Sequence, residues 1–193
     1  KAKCIAKKQL EAAAILGADT ILIVPGTVGA DFIPGSKVVS YDAAYDRALE
    51  AMEELKTYAK KLKVSIGIEN VWNKFLLSPL EMRDFIDKVG SDYVGSYLDV
   101  GNVVYTGYPE QWIRILGSRI KKVHLKDFRK SVGTLDGFVD LLAGDVNFPE
   151  VVKALNEIKY TGYVTAEMGG YTYYKDQLIY STSASMDRIL GRK

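Results

Sequence analysis

Apolar positions along this chain follow two alternating periods, and that alternation limits the folds open to it. Residues 3–16 place Ile5, Leu10, Ala13 and Leu16 on one helical face, and Gly17 supplies a stop. The run TILIVPG that follows reads as a strand. Asp42 to Leu62 reads as a long amphipathic helix with Asp42 as its N-cap, and Val64 to Ile68 as a buried parallel strand ended by Glu69. Ser78 and Pro79 open a helix that runs to Val89 before Gly90 breaks it. Tyr93 to Leu98 is the next strand. Pro109 to Leu116 reads as a short helix, Arg119 to Leu125 as a strand, and Lys126 to Val146 as a long loop carrying Gly133, Gly137 and Gly144. Phe148 to Ile158 is a helix, Tyr163 to Ala166 a strand, and Asp176 to Leu190 the last helix.

Strict alternation of helix and strand demands parallel pairing with right-handed crossovers, and strands apolar on both faces need helices outside the sheet. That leaves an α/β barrel or a doubly wound sheet. No glycine-rich dinucleotide fingerprint follows any of these strands, and polar residues end four of the five, which favours a (β/α)8 TIM-type barrel. Only about five of the eight strands are present. The expectation is a single domain over residues 1–193, the C-terminal part of such a barrel, and the helix-like opening at Lys1 reads as a chain that starts mid-fold.

Composition narrows the function classes. With 193 residues and 48% hydrophobic content, the chain can bury a substantial core. Its net charge of +2 comes from 26 basic and 24 acidic residues mixed along the sequence, with no block suited to nucleic acid. The lysines of the first helix, Lys1, Lys3, Lys7 and Lys8, make a solvated face. A single cysteine, Cys4, rules out an internal disulfide or a cysteine-cluster metal site and agrees with a reducing cytoplasm. No apolar run approaches the roughly 20 residues that span a bilayer, so no membrane partner is expected.

Four residues able to bind a metal stand at the ends of four strand-like runs: Glu69, Asp99, His124 and Glu167, separated by 30, 25 and 43 residues. His124 is the only histidine of the chain. Parallel strands open their carboxyl ends on one face, so side chains this far apart in sequence can converge. Two glutamates, an aspartate and an imidazole form an oxygen- and nitrogen-rich set that suits a divalent ion such as Mn²⁺, Mg²⁺, Co²⁺ or Zn²⁺. Such an ion polarises a carbonyl and stabilises an enediolate while a nearby carboxylate moves a proton, which is chemistry that interconverts sugars.

The words around these residues are IGIEN (66–70), YLDVGN (97–102), KVHLKD (122–127), GDVNFPEVVKAL (144–155) and GYVTAEM (162–168). Together, over essentially the whole chain, they resemble the sugar phosphate isomerase/epimerase family of the xylose-isomerase-like barrels, which includes ketose 3-epimerases and L-ribulose-5-phosphate and hexulose-phosphate enzymes. The resemblance implies that Glu69, Asp99, His124 and Glu167 hold the metal. It also implies that Glu69 and Glu167 are catalytic, one removing a proton and the other returning it. Asn102 stands where tagatose-type 3-epimerases usually carry a second histidine, and the Asp-x-Gly-Asn form looks closer to the pentulose- and hexulose-phosphate members. Those epimerases also carry an arginine six residues after the metal histidine, where this chain has Lys130, preceded by Arg129. Asn102, Lys126, Arg129 and Lys130 are therefore the candidate substrate-binding residues.

Other readings stand beside this one. Asp127 caps or orients the loop after the fourth strand, and Trp72, Phe75 and Tyr105 either wall a sugar site or pack against neighbouring loops. The tyrosine-rich stretch 169–180 reads as an interface or loop-packing segment. The same set of residues also suits an inosose-dehydratase-like or hydroxypyruvate-isomerase-like enzyme. A different class is a non-catalytic barrel fragment that associates with itself or a partner, since an incomplete barrel exposes strand edges. A homo-oligomer acting on a small-molecule sugar or sugar phosphate is the expected assembly.

Overall fold

The computed structural model describes residues 1–192. Its helices are α1 (Ala2–Leu16), α2 (Tyr41–Leu62), α3 (Pro79–Val89), α4 (Val100–Val104), α5 (Pro109–Leu116), α6 (Phe148–Glu157) and α7 (Lys175–Leu190). The strands are β1 (Thr20–Ile23), β2 (Ser65–Glu69), β3 (Val94–Asp99), β4 (Ile120–Leu125), β5 (Asp127–Phe128), β6 (Phe138–Val139) and β7 (Val164–Ala166). Five strands form one sheet in the order β1-β2-β3-β4-β7, so spatial order follows chain order, as the alternating pattern requires. By their contacts the residues divide into two compact units, Lys1–Leu98 with Ile115–Lys122, and Asp99–Arg114 with Val123–Lys193.

In the first unit β1 pairs parallel with β2, Thr20 opposite Ser65 and Ile23 opposite Ile68, and β2 pairs parallel with β3, Ile66 opposite Val94 and Glu69 opposite Tyr97. Its core takes Leu10 from α1, Met52 and Leu55 from α2, Ile66 and Ile68 from β2, and Met82 and Phe85 from α3, all essentially shut off from solvent. At full burial each such side chain contributes about 1.5–3 kcal/mol. The start of α3 shows how local chemistry fixes an element. Ser78 Oγ accepts the Glu81 N–H, Glu81 Oε2 accepts the Leu77 N–H in return, and Pro79 sits where no amide donor is needed. The expected cap of α2 is corrected. The helix begins at Tyr41 with Ser40 as the N-cap, and Asp42 lies inside the first turn, its carboxylate accepting the Ala43 N–H.

In the second unit β4 pairs parallel with β7, with Val123 opposite Val164 and Leu125 opposite Ala166. The core gathers Val100, Ile113, Phe128, Val151 and Ala154. Residues 126–146 are more ordered than a loop. Asp127–Phe128 and Phe138–Val139 pair antiparallel, and Phe128 stacks edge-on against Phe138 at 4.9 Å and Tyr105 at 5.7 Å between ring centroids. Asp127 is fully buried and holds this segment by its carboxylate, which accepts N–H groups from Phe128, Gly144 and Val146. The expectation that Asp127 orients the loop is met in these contacts. No residue of α7 is buried, and Tyr173, Tyr174, Ile179 and Tyr180 are exposed. Among the described residues no helix is long and apolar enough to cross a membrane.

Two substitutions test this packing. Gly95 of β3 has no room for a side chain, because a Cβ there would run into the Arg119 carbonyl oxygen and the Lys121 side chain. A Gly95→Ala substitution should cost about 3 kcal/mol by chemical denaturation, as overpacking against backbone does. At Gly169 a Cβ meets nothing within 4 Å, so Gly169→Ala should leave the midpoint unchanged. Asp127→Ala strands the Gly144 and Val146 amides and should lower stability by about 2–4 kcal/mol in the same measurement.

Candidate metal centre

Strand alternation decides which side chains meet. Along β3, Val94, Ser96 and Leu98 share one face, and Gly95, Tyr97 and Asp99 share the other. Asp99 is the last residue of β3 and also the N-cap of α4, where its Oδ1 accepts the Asn102 N–H at 2.8 Å. That hydrogen bond fixes the carboxylate in place with no exposed surface. His124 is the penultimate residue of β4. Glu167 follows β7, and its own N–H donates to the Leu125 carbonyl at 3.0 Å, so β-pairing carries the chain past the last strand residue and sets the glutamate beside β4.

Three of the expected ligands therefore meet in the second unit. His124 Nδ1 lies 3.1 Å from Glu167 Oε2 and 3.9 Å from Asp99 Oδ2. Lys126 joins them, its Nζ 3.0 Å from Glu167 Oε1 and 3.8 Å from Asp99 Oδ2. Glu69 ends β2 in the first unit. Within the second unit one ligand atom from each of Asp99, His124 and Glu167 lies within 4.8 Å of the others, a grouping that can hold a metal ion.

The electrostatics of the two carboxyls diverge. Burial pushes the Asp99 carboxyl well above the usual carboxylate range, against the pull of the Lys126 ammonium and the Asn102 N–H, and the neighbouring Glu167 adds to the rise. For Glu167 burial also works upward. There it is outweighed by the neighbouring Asp99, by Lys126 and by His124, and the net shift is downward.

The donor set fits a divalent ion. Carboxylate oxygens and one imidazole nitrogen match hard to borderline cations, and Glu167 Oε2 is buried yet accepts no hydrogen bond, although His124 stands beside it. A cation gives such an oxygen the partner that burial otherwise denies it.

The remaining sequence candidates fall in different places. Asn102 donates its backbone N–H to the capping carboxylate of Asp99, and Lys126 belongs to the acidic cluster. Arg129 instead donates to the Ala143 carbonyl within its own loop, and the Lys130 N–H donates to Asp145. Phe75 is buried, half-exposed Tyr105 stacks on Phe128, and Trp72 is half-buried. Asn73 was not singled out by sequence reasoning. It is buried, donates its amide to the Gly26 carbonyl, and accepts the Val28 and Gly29 N–H groups at its backbone oxygen, tying the segment after β1 to the segment after β2. An asparagine in a loop carries no periodic signal that would have marked it.

Known proteins resemble the chain at low identity. It is 25% identical over 171 residues to "Uncharacterized protein MJ1311" of Methanocaldococcus jannaschii, and it spans about half of that relative, 55% of its length. Among solved structures it superposes on the IOLI protein with a binding zinc atom at a TM-score of 0.81 and 19% identity, covering 97% of this chain and 68% of that one. It superposes on an L-ribulose 3-epimerase at 0.77 and 17% identity, covering 98% and 67%. A D-psicose 3-epimerase of Clostridium cellulolyticum H10, solved with D-tagatose, gives 0.78 and 19%, covering 98% and 70%. At these identities the superpositions establish the fold. A family model described as a xylose isomerase-like TIM barrel matches residues 1–188, and the chain belongs to that family.

Proposed function

We propose that this chain carries the metal centre of a sugar isomerase or epimerase that acts on a ketose or ketose phosphate by proton transfer at a carbon next to the carbonyl. The observation that carries the reading is the grouping of Asp99, His124 and Glu167, with Glu69 at the end of β2, in a chain of this family. The solved neighbours add weight, since two are named as ketose 3-epimerases and one holds zinc.

Glu69, Asp99, His124 and Glu167 are the residues that would hold a divalent ion. When bound, such an ion supplies fixed positive charge that polarises a carbonyl oxygen and steadies the negative charge developing there. The side chains of the chain do the rest. Glu167 is 43% exposed, which leaves it accessible to a substrate, and its lowered pKa keeps it ionised as a base. A carboxylate of this kind takes a proton from carbon, and a second one, Glu69, returns a proton to the substrate. Asn102 and Lys126 are the polar groups next to the cluster and serve as substrate contacts. Arg129 would have to release the Ala143 carbonyl to hold a phosphate, and Lys130, tied to Asp145 by its backbone N–H, offers a second cation beside it.

The reading extends to one domain over residues 1–193, supported by a single family model that spans nearly all of them. It also extends to a homo-oligomer in the cytoplasm. Exposed apolar residues on α7, Ile179 and Tyr180, support self-association, and a lone exposed thiol, Cys4, suits a reducing compartment.

The test is turnover of a panel of ketoses and ketose phosphates by the full-length protein loaded with Mn²⁺, with solvent-deuterium incorporation as readout. Glu69→Gln and Glu167→Gln should each lower turnover by about a thousandfold or more and stop exchange at the carbon next to the carbonyl. Deuterium uptake persisting unchanged in both variants would sink the proton-transfer roles. Mn²⁺ binding without turnover of any sugar would favour the non-catalytic fragment that associates with itself or a partner.

A further inference from the structure

Lys126 enters the acidic cluster two residues beyond His124, and its side chain is only 16% exposed. Its ammonium bridges toward two carboxylates, at 3.0 Å from Glu167 Oε1 and 3.8 Å from Asp99 Oδ2. Packing holds it in that position. Nζ lies 4.3 Å from the centroid of the Phe138 ring, and Phe138 is itself braced by Phe128. On the backbone side Lys126 is seated against Gly101, where a Cβ would stand 2.8 Å from the Lys126 carbonyl carbon, carbonyl oxygen and Cβ. Fixing a long, flexible side chain costs rotamer entropy, and only a strong local attraction offsets that cost. Here the attraction comes from the carboxylates of the ligand set.

We propose that Lys126 is a tethered counter-cation for the metal ligands: it supplies part of the positive charge that a divalent ion would supply, and so weakens the hold of the site on that ion and keeps it exchangeable. The proposal rests on the metal reading of the site given above. A carboxylate already neutralised in part attracts a second cation less, and two cations a few ångströms apart repel, more strongly where water is largely excluded. The geometry also assigns the two oxygens of Glu167 separate tasks, Oε1 on Lys126 and Oε2 turned to His124. A lysine that only contacts substrate would leave the ion affinity untouched.

The test uses Mn²⁺ alone, titrated against a chromophoric chelator into chelator-stripped full-length protein as wild type, Lys126→Met and Lys126→Arg. Methionine keeps an unbranched apolar stem against Phe138 and removes the charge, whereas arginine keeps the charge. Lys126→Met should bind Mn²⁺ about tenfold more tightly or better, a gain of about 1.4 kcal/mol per tenfold. Lys126→Arg should stay within about threefold of wild type. Stripped Lys126→Met should melt below stripped wild type and recover when Mn²⁺ is added, because the ion then replaces the lost charge. Unchanged or weaker Mn²⁺ affinity in Lys126→Met overturns the proposal and leaves the metal centre standing. Absence of Mn²⁺ binding in all three proteins overturns the metal reading and the proposal with it. If Lys126→Met does not fold, Lys126→Gln is held to the same affinity criterion.

Discussion

Two carboxyls drawn out of water beside one another are the constraint on which the second unit is built. Asp99 has no exposed surface, and Glu167 has one buried oxygen. Placing like charges so close in a region of restricted water is costly unless a proton, an ammonium or an ion intervenes. The surrounding chain is arranged to supply those partners. The Asn102 N–H reaches Asp99 from the first turn of α4, Lys126 reaches Glu167 from the end of β4, and His124 stands next to both. Each arrives by a different route along the backbone, and only a parallel sheet with its carboxyl ends on one side brings them together.

The sheet can do this because its strands approach closely at chosen points. Gly95 of β3 admits the Arg119 carbonyl and the Lys121 side chain where any Cβ would clash, and Gly101 admits the backbone of Lys126 in the same way. Neither glycine needs an unusual backbone conformation, since neither has a positive φ. Their contribution is space. Just beyond the first of these contacts Lys122 forms an ion pair with Asp19 at 2.7 Å, and just beyond the second lies the acidic cluster. Packing and charge are therefore set by the same few residues.

Much of this could be read from the sequence, for definite reasons. The long helices α2 and α3 announce themselves by periodicity, and the stops after α1 and α3 lie at Gly17 and Gly90, both in the left-handed conformation that glycine adopts at little cost. The polar residues at or next to the ends of β2, β3 and β4 stand out against apolar strands. What escaped was short or tertiary in origin. α4 is five residues, too few to show a period, and its cap is the carboxylate of Asp99, which sequence reasoning assigned to a metal. The β5/β6 hairpin has two residues per strand, below the length at which alternation registers. Arg129 looked basic and available, but the Ala143 carbonyl that engages it is brought near by tertiary contacts, among them the Asp127 carboxylate holding Gly144 and Val146 and the Phe128 carbonyl holding the Asp145 N–H.

The contrast between Asp99 and Glu167 bears on how such a centre divides its work. A carboxylate that reacts with a substrate must be reachable and must change its protonation during turnover, whereas one that only holds an ion is best sealed in place. In the proposed centre Asp99 suits the second role, since it is fully buried and anchored by a backbone N–H on Oδ1. Glu167 suits the first. It is 43% exposed at the side chain, its pKa is lowered, and it hangs from a strand of only three residues whose middle position is exposed. A glutamate so lightly supported needs something to hold its carboxylate, and in this chain that something is Lys126, gripping Oε1 from the neighbouring strand end. Reach and orientation at Glu167 thus come from different parts of the chain, so either can change without the other.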